Sequence, residues 1–162
     1  MADHAERSSE ALDHAIQVEK SEPSPPNEME PTVLPTKLAL ILRDDLPANL
    51  AANAAVVLGL TLGARLPDLL GDDAKDADGT AHLGLNTHPV PVLTAPADTI
   101  KALHRAEGVL KIGFTEVARR SRTYPEYLEA LSRTEDPEFV AVALYGPRAD
   151  VSRLTRKLPL MA

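Results

Sequence analysis

Two apolar runs, Lys37–Arg43 (KLALILR) and Phe139–Tyr145 (FVAVALY), constrain the fold of this chain more than any other feature. Each is too short for a helix. Each is apolar at consecutive positions, so a strand built from it must be buried on both faces. Such a strand needs a covering layer on either side, and the intervening segments supply it. Asn49–Leu62 is rich in alanine and apolar on nearly every side, which predicts a buried helix able to approach a sheet closely. Asp45 is placed to cap that helix, with Pro47 in its first turn. Leu66–Gly84 is rich in turn residues. Val90–Thr94 predicts a second strand, which Pro89 and Pro91 push to a sheet edge or a strand start. Ala97–Glu107 predicts a helix ended by Gly108. A strand over Val109–Thr115, a short helix over Pro125–Ser132, a Gly146-Pro147 turn and an amphipathic helix over Ala149–Lys157 follow. The expected class is α/β, a layered mixed sheet of about four strands flanked by helices.

Charge divides the chain at the same place. Residues 1–36 carry eight acidic and two basic side chains, a net of -6, while residues 37–162 carry 16 and 15, a net of -1. With five prolines between residues 21 and 36, the front reads as an extended, disordered acidic extension, and residues 37–162 as the folded domain. A weak helix over residues 5–20 has too thin an apolar stripe to stand alone. The extension is either solvated or a docking segment for a partner. A domain so nearly neutral has no strong general attraction for nucleic acid, which argues against an RNA-binding reading. The absence of cysteine excludes disulfides, thiolate catalysis and cysteine-ligated zinc. No stretch reaches the roughly 18–20 apolar residues that span a bilayer, and the N-terminus lacks a secretory pattern. A cytoplasmic protein with no membrane partner is expected. Phe114, Tyr124, Tyr127, Phe139 and Tyr145 all lie in the last third, so the core rests on Leu, Val, Ile and Ala.

Open α/β sheets bind ligands beyond the carboxyl ends of their strands. Two strands here end in polar clusters: Arg43, Asp44, Asp45, Asn49 and Asn53 after the first, and Thr115, Glu116 and Arg119 after the third. Asn49 and Asn53 share a helix face, and Asn53 interrupts an otherwise apolar stretch from residue 50 to 60. The bland reading is helix capping and ion pairing at a turn. The functional one is a small polar pocket, with Glu116 or Asp45 as a candidate acid or base. Glu116 equally suits a surface pair with Arg119 or Arg120. His88, at a strand start, is expected to face the crevice. Arg119, Arg120 and Arg122 form either a solvated face or an anion site. Asp72, Asp73, Asp76 and Asp78 lack the order of a calcium loop, and His82, His88 and His104 are dispersed, so no metal is expected. With no nucleophile elbow and no glycine-rich phosphate loop, no cofactor is expected.

The words KLALILRDDLPANLAANAAVVLG, VPVLTAPADTIKALHRAEGVLKIGF and VAVALYGPRADVSRLTRKLPL, in this order, resemble the peptidyl-tRNA hydrolase type II proteins. The chain is more similar still to a bacterial and fungal relative, the domain-of-unknown-function two-thousand family. That likeness is carried by Arg43–Pro47, Asp76–Gly79, Thr115-Glu116 and Gly146–Arg148, and it spans nearly all of residues 37–161. It implies the hydrolase-type fold, with the first and Val109–Thr115 strands as close neighbours. The hydrolases place a lysine at the start of the first helix, followed by Ala-Ala-Gln. The segment Pro47–Val56 has no lysine, and Val56 stands where the glutamine falls. Their acidic position after the third strand corresponds to Glu116. The resemblance therefore implies a fold without the complete hydrolase constellation, and without that lysine tRNA is not expected as a partner. Two classes follow: a small-ligand-binding or accessory module, or a hydrolase or transferase for an acyl or aminoacyl compound using Glu116. The partner is then a small molecule or a protein, with a homodimer left open.

Overall fold

A computed structural model describes residues 33–162. The extension and the helix expected over residues 5–20 fall, but for residues 33–36, outside the described residues. Six strands and five helices follow in the order β1 (Thr36–Arg43), α1 (Ala48–Arg65), β2 (Ala74–Lys75), β3 (Ala81–His82), β4 (Val92–Ala95), α2 (Ala97–His104), β5 (Leu110–Thr115), α3 (Glu116–Arg120), α4 (Tyr124–Ser132), β6 (Phe139–Pro147) and α5 (Arg148–Thr155). Four of the strands form one mixed sheet in the order β4-β1-β6-β5. β1 is parallel to β4 and antiparallel to β6, and β5 is antiparallel to β6.

The two apolar runs are the two central strands, as their two-sided apolarity requires. Along β1, Leu38, Leu40 and Leu42 pack with α1, while Ala39 and Ile41 pack with α2 and α5. Along β6, the small Ala141 and Ala143 face α1, and the larger Val142 and Leu144 face the other way. Ala51 and Ala54 of α1 are buried in the same cluster as those two alanines, so helix and sheet meet through small side chains. Between Phe114 and Thr115 the register with β6 slips by one residue, and Val140 and Ala141 both join the α1 side. The extra residue of that bulge, Val140, lies on β6.

Several expectations need correction. β1 and β5 are not adjacent, because β6 lies between them. α1 is not buried all round: Asn53, Val56 and Leu60 share an exposed face, and Leu60 is 72% exposed. Asp45 does not cap α1. Pro47 holds the N-cap position and the Asp45 carboxylate pairs with Arg43 instead. Gly146-Pro147 is not a turn, because β6 runs through it and α5 begins at Arg148. β4 is an edge strand, as its prolines predict, and the C-terminal residues cover its outer side. Thr94 N–H donates to the Pro159 carbonyl at 3.0 Å, and Met161 N–H to the Val92 carbonyl at 2.9 Å.

The aspartate-rich segment builds the small β2–β3 hairpin. The Asp76 carboxylate accepts from the Asp78 and Thr80 amides at 3.0 and 2.9 Å and sits 3.0 Å from His82 Nε2. The His82 contact, then these amides, hold Asp76 below the usual carboxylate range. Gly79, at φ +83°, closes the turn where a side chain is disfavoured.

Candidate functional site

The carboxyl ends of β1 and β5 and the start of β6 lie at one end of the sheet, and Arg43 bridges them. Its guanidinium is 2.5 Å from Asp45, 2.5 Å from Glu138 and 3.4 Å from Glu116. Across two strand spacings, about 10 Å, only a long side chain makes that link. Burial works against the Arg43 charge, but the bond to Asp45 and the charges of Asp45, Glu138 and Glu116 outweigh it and raise the pKa. Glu116, its side chain 12% exposed, also lies 2.7 Å from Arg119 and 3.4 Å from Arg120. Its carboxylate is thus surrounded by three guanidinium groups. The Thr115 hydroxyl accepts from the Ala118 amide at 3.2 Å and starts α3. Asp44 and Asn49 are exposed.

The arrangement gathers Arg43, Asp45 and Glu116, and it excludes His88. His88 Nε2 lies 2.7 Å from the Thr36 hydroxyl, at the amino end of β1, and its ring stands 6.1 Å from that of Tyr145. Seven residues of extended strand separate Thr36 from Arg43, about 23 Å. The expectation that His88 faces this crevice is therefore wrong. Val90–Thr94 runs parallel to β1, so its start lies at the far end of the sheet.

A cleft of about 850 Å³ lies between α1, β5 and the α3–α4 segment. Asn53, Val57, Thr61 and Arg65 form its α1 wall at a spacing of four residues. Opposite stand Arg119, Arg122, Tyr124 and Tyr127, the two rings 5.5 Å apart. No carboxylate lines the cleft. Among the described residues, the guanidinium groups of Arg65 and Arg122 have no carboxylate within ion-pairing distance, whereas Glu116 holds the Nε of Arg119; the Glu126 carboxylate accepts from the Arg122 backbone amide at 2.9 Å. Asn53, which interrupts the apolar stretch of α1, is exposed on the cleft wall. Arg65, Tyr124 and Tyr127 were not singled out by sequence. The four-residue repeat Asn53, Val57, Thr61, Arg65 is the signal that places Arg65 on the face of Asn53; no such repeat marks the two tyrosines.

Behind β5, the His104 ring packs on Phe139 with centroids 4.3 Å apart. A side chain at Gly113 would meet Phe139 at 2.5 Å and His104 at 2.9 Å, which is why glycine stands there. Burial, then the charges of Lys111 and Arg105, hold His104 below its ordinary pKa. The unfolded chain therefore takes up the proton first as pH falls from about 6.5. His104 contributes stability that is complete above that pH and is lost as pH falls toward the folded value. In urea titrations at pH 7.5 and 5.5, His104→Phe should show a smaller loss at the lower pH than the parent. Equal losses would mean that His104 does not couple to folding.

Comparison with known proteins fits this geometry without adding a reaction to it. The sequence profile of the family described as "Protein of unknown function (DUF2000)" matches residues 36–162, and the chain belongs to that family. No curated protein matches. Among solved structures, the protein of unknown function Atu0240 from Agrobacterium tumefaciens strain C58 is similar in fold. It is 21% identical, covers 80% of this chain and 100% of its own, and superposes with a TM-score of 0.72. Among the described residues no helix is long and apolar enough to cross a membrane, and no group of three or more His, Asp or Glu is placed to hold a metal ion.

Proposed function

We propose that this domain is a binding module for an anionic ligand, seated in the cleft between α1, β5 and the α3–α4 segment. The observation that carries it is a lining of three arginines and no carboxylate, in a domain whose net charge is only -1. Cations concentrated in a concave, low-dielectric site attract anions far more than the same charges spread over a surface. Glu116 and Arg43 form the frame. Glu116 orients Arg119 toward the cleft, and Arg43 ties Glu116 to the ends of β1 and β6. Asn53 supplies a neutral hydrogen-bonding group on the opposite wall. The strand–helix order supports placing the fold with the peptidyl-tRNA hydrolase type II class. The segment Pro47–Val56, without lysine, argues against that chemistry.

Thermal unfolding in a panel of anions (nucleotides, sugar phosphates, acyl carboxylates and acidic peptides) tests this reading. A ligand at about 100 times its Kd adds roughly 2.7 kcal/mol of stability and raises Tm. Arg65→Glu with Arg122→Glu should cut affinity about tenfold or more, and salt should weaken binding. A panel in which no anion raises Tm sinks the proposal, as does a double variant that binds like the parent.

A further inference from the structure

We propose that the cleft takes an extended acidic peptide, which adds to β5 as a fifth strand of the sheet; this rests on the anion-binding reading above. β5 pairs with β6 on one side only, and among the described residues no strand pairs with its other side. An antiparallel strand turns alternate N–H and C=O groups outward, so half of the β5 backbone offers hydrogen bonds to whatever lies beside it. Leu110–Phe114 lie in the cleft itself, with Arg119, Arg122 and Arg65 around them. β5 holds six residues, about 20 Å of extended chain.

The opposite edge of the same sheet shows the contrast. There β4 is preceded by Pro89 and Pro91 and covered by the C-terminal segment, which bridges Leu93 to Leu160 in antiparallel fashion. This fold thus already completes one edge by adding a short extended segment. β5 has no proline, no covering segment among the described residues, and one lysine as an edge charge. The ammonium of that lysine, Lys111, is turned away to the Ala106 carbonyl at 2.6 Å. Exposed edges are ordinarily blunted, and an edge left open inside a concave site is the arrangement used for strand addition.

Charge selects the occupant. A second copy pairing edge to edge would bring its own Arg119, Arg122 and Arg65 against these, and like charges repel. A phosphate compound would meet the arginines but leave the outward N–H and C=O groups of β5 to water. An extended chain bearing carboxylates satisfies both. The exposed ring of Tyr124 and the half-buried ring of Tyr127 beside it give apolar side chains of that peptide a surface to lie on.

The experiment uses the full chain and a labelled heptapeptide of alternating valine and glutamate, followed by fluorescence anisotropy. A peptide of alternating valine and lysine is the control. The acidic peptide should bind, the basic one should not, and Arg65→Glu with Arg122→Glu should weaken binding about tenfold or more. Amide exchange at alternate residues of Leu110–Phe114 should slow on binding. N-methylating alternate peptide amides along one edge should abolish binding, while the same change along the other edge leaves it. Equal binding of both N-methylated peptides to that of the parent, or of the lysine peptide, overturns the strand-addition proposal. Binding of ATP or inorganic phosphate without any binding of the acidic peptide also overturns it, and leaves the anion-binding reading standing. If no anion binds at all, both fall.

Discussion

Leu58→Ala should destabilise the domain by about 2–5 kcal/mol, the cost of removing a buried leucine and leaving a partly collapsed cavity. Leu58 is 1% exposed, on the face of α1 that packs against Leu38, Leu40 and Leu42 of β1 and the alanines of β6. Those alanines are too short to fill the gap. Against a typical total of about 5–15 kcal/mol, the loss is a large share. It should appear as a lower urea midpoint with an unchanged slope. The same helix carries Asn53, Val57, Thr61 and Arg65 on the cleft wall, so a loosened α1 should also weaken anion binding. Leu60→Ala is the control. Two positions along and 72% exposed, it should change stability by less than about 0.5 kcal/mol. Similar losses at both positions would show that the packing of α1 does not distinguish its two faces.

That contrast marks what the sequence could and could not tell. Element identity was legible, because KLALILR and FVAVALY admit only buried strands and the glycine and proline positions bound the rest. Gly108, at φ +79°, turns the chain toward β5, but it does not end the helix: α2 stops already at His104, with Arg105 as its C-cap. The exposed side of α1 was legible only at Asn53, Thr61 and Arg65. Periodicity reports a buried face by contrast with polar residues, and Ala52, Val56 and Leu60 offer none. Strand order was not legible either, since adjacency in the sheet depends on where β6 inserts, and nothing local to β1 or β5 records that. The same insertion explains the site. Arg43, Asp45 and Glu116 were picked out as polar strand exits, and they do meet. Glu138 was missed because the strand it precedes was not expected between the other two. His88 failed for a topological reason: a parallel β4 puts its start at the far end of the sheet. The aspartates of residues 72–78 look like ligands until the hairpin amides that they accept are counted.

Glu116→Gln should lower stability by about 1–3 kcal/mol and weaken anion binding at the same time. The carboxylate accepts from Arg119 at 2.7 Å and lies 3.4 Å from both Arg43 and Arg120. Hydrogen bonds to charged groups contribute about 1.5–3 kcal/mol. Solvent at Arg120, 74% exposed, screens that part of the network, so the lower half of the range is expected there. Glutamine keeps the shape but turns an amide N–H₂ toward at least one guanidinium. Arg43 still has Asp45 and Glu138, whereas Arg119 has no second carboxylate among the described residues. Two effects on binding then oppose each other. Removing a negative charge near the cleft favours an anion, through a potential that solvent and salt weaken. Releasing Arg119 removes a donor held in a fixed direction, and ordering it again on binding costs about 0.5–1.5 kcal/mol. At physiological salt the second effect should dominate, giving an affinity several-fold lower, with a further drop as salt rises. Tighter binding to Glu116→Gln at every salt concentration would mean that Glu116 acts on the cleft only through its charge, and that Arg119 needs no positioning.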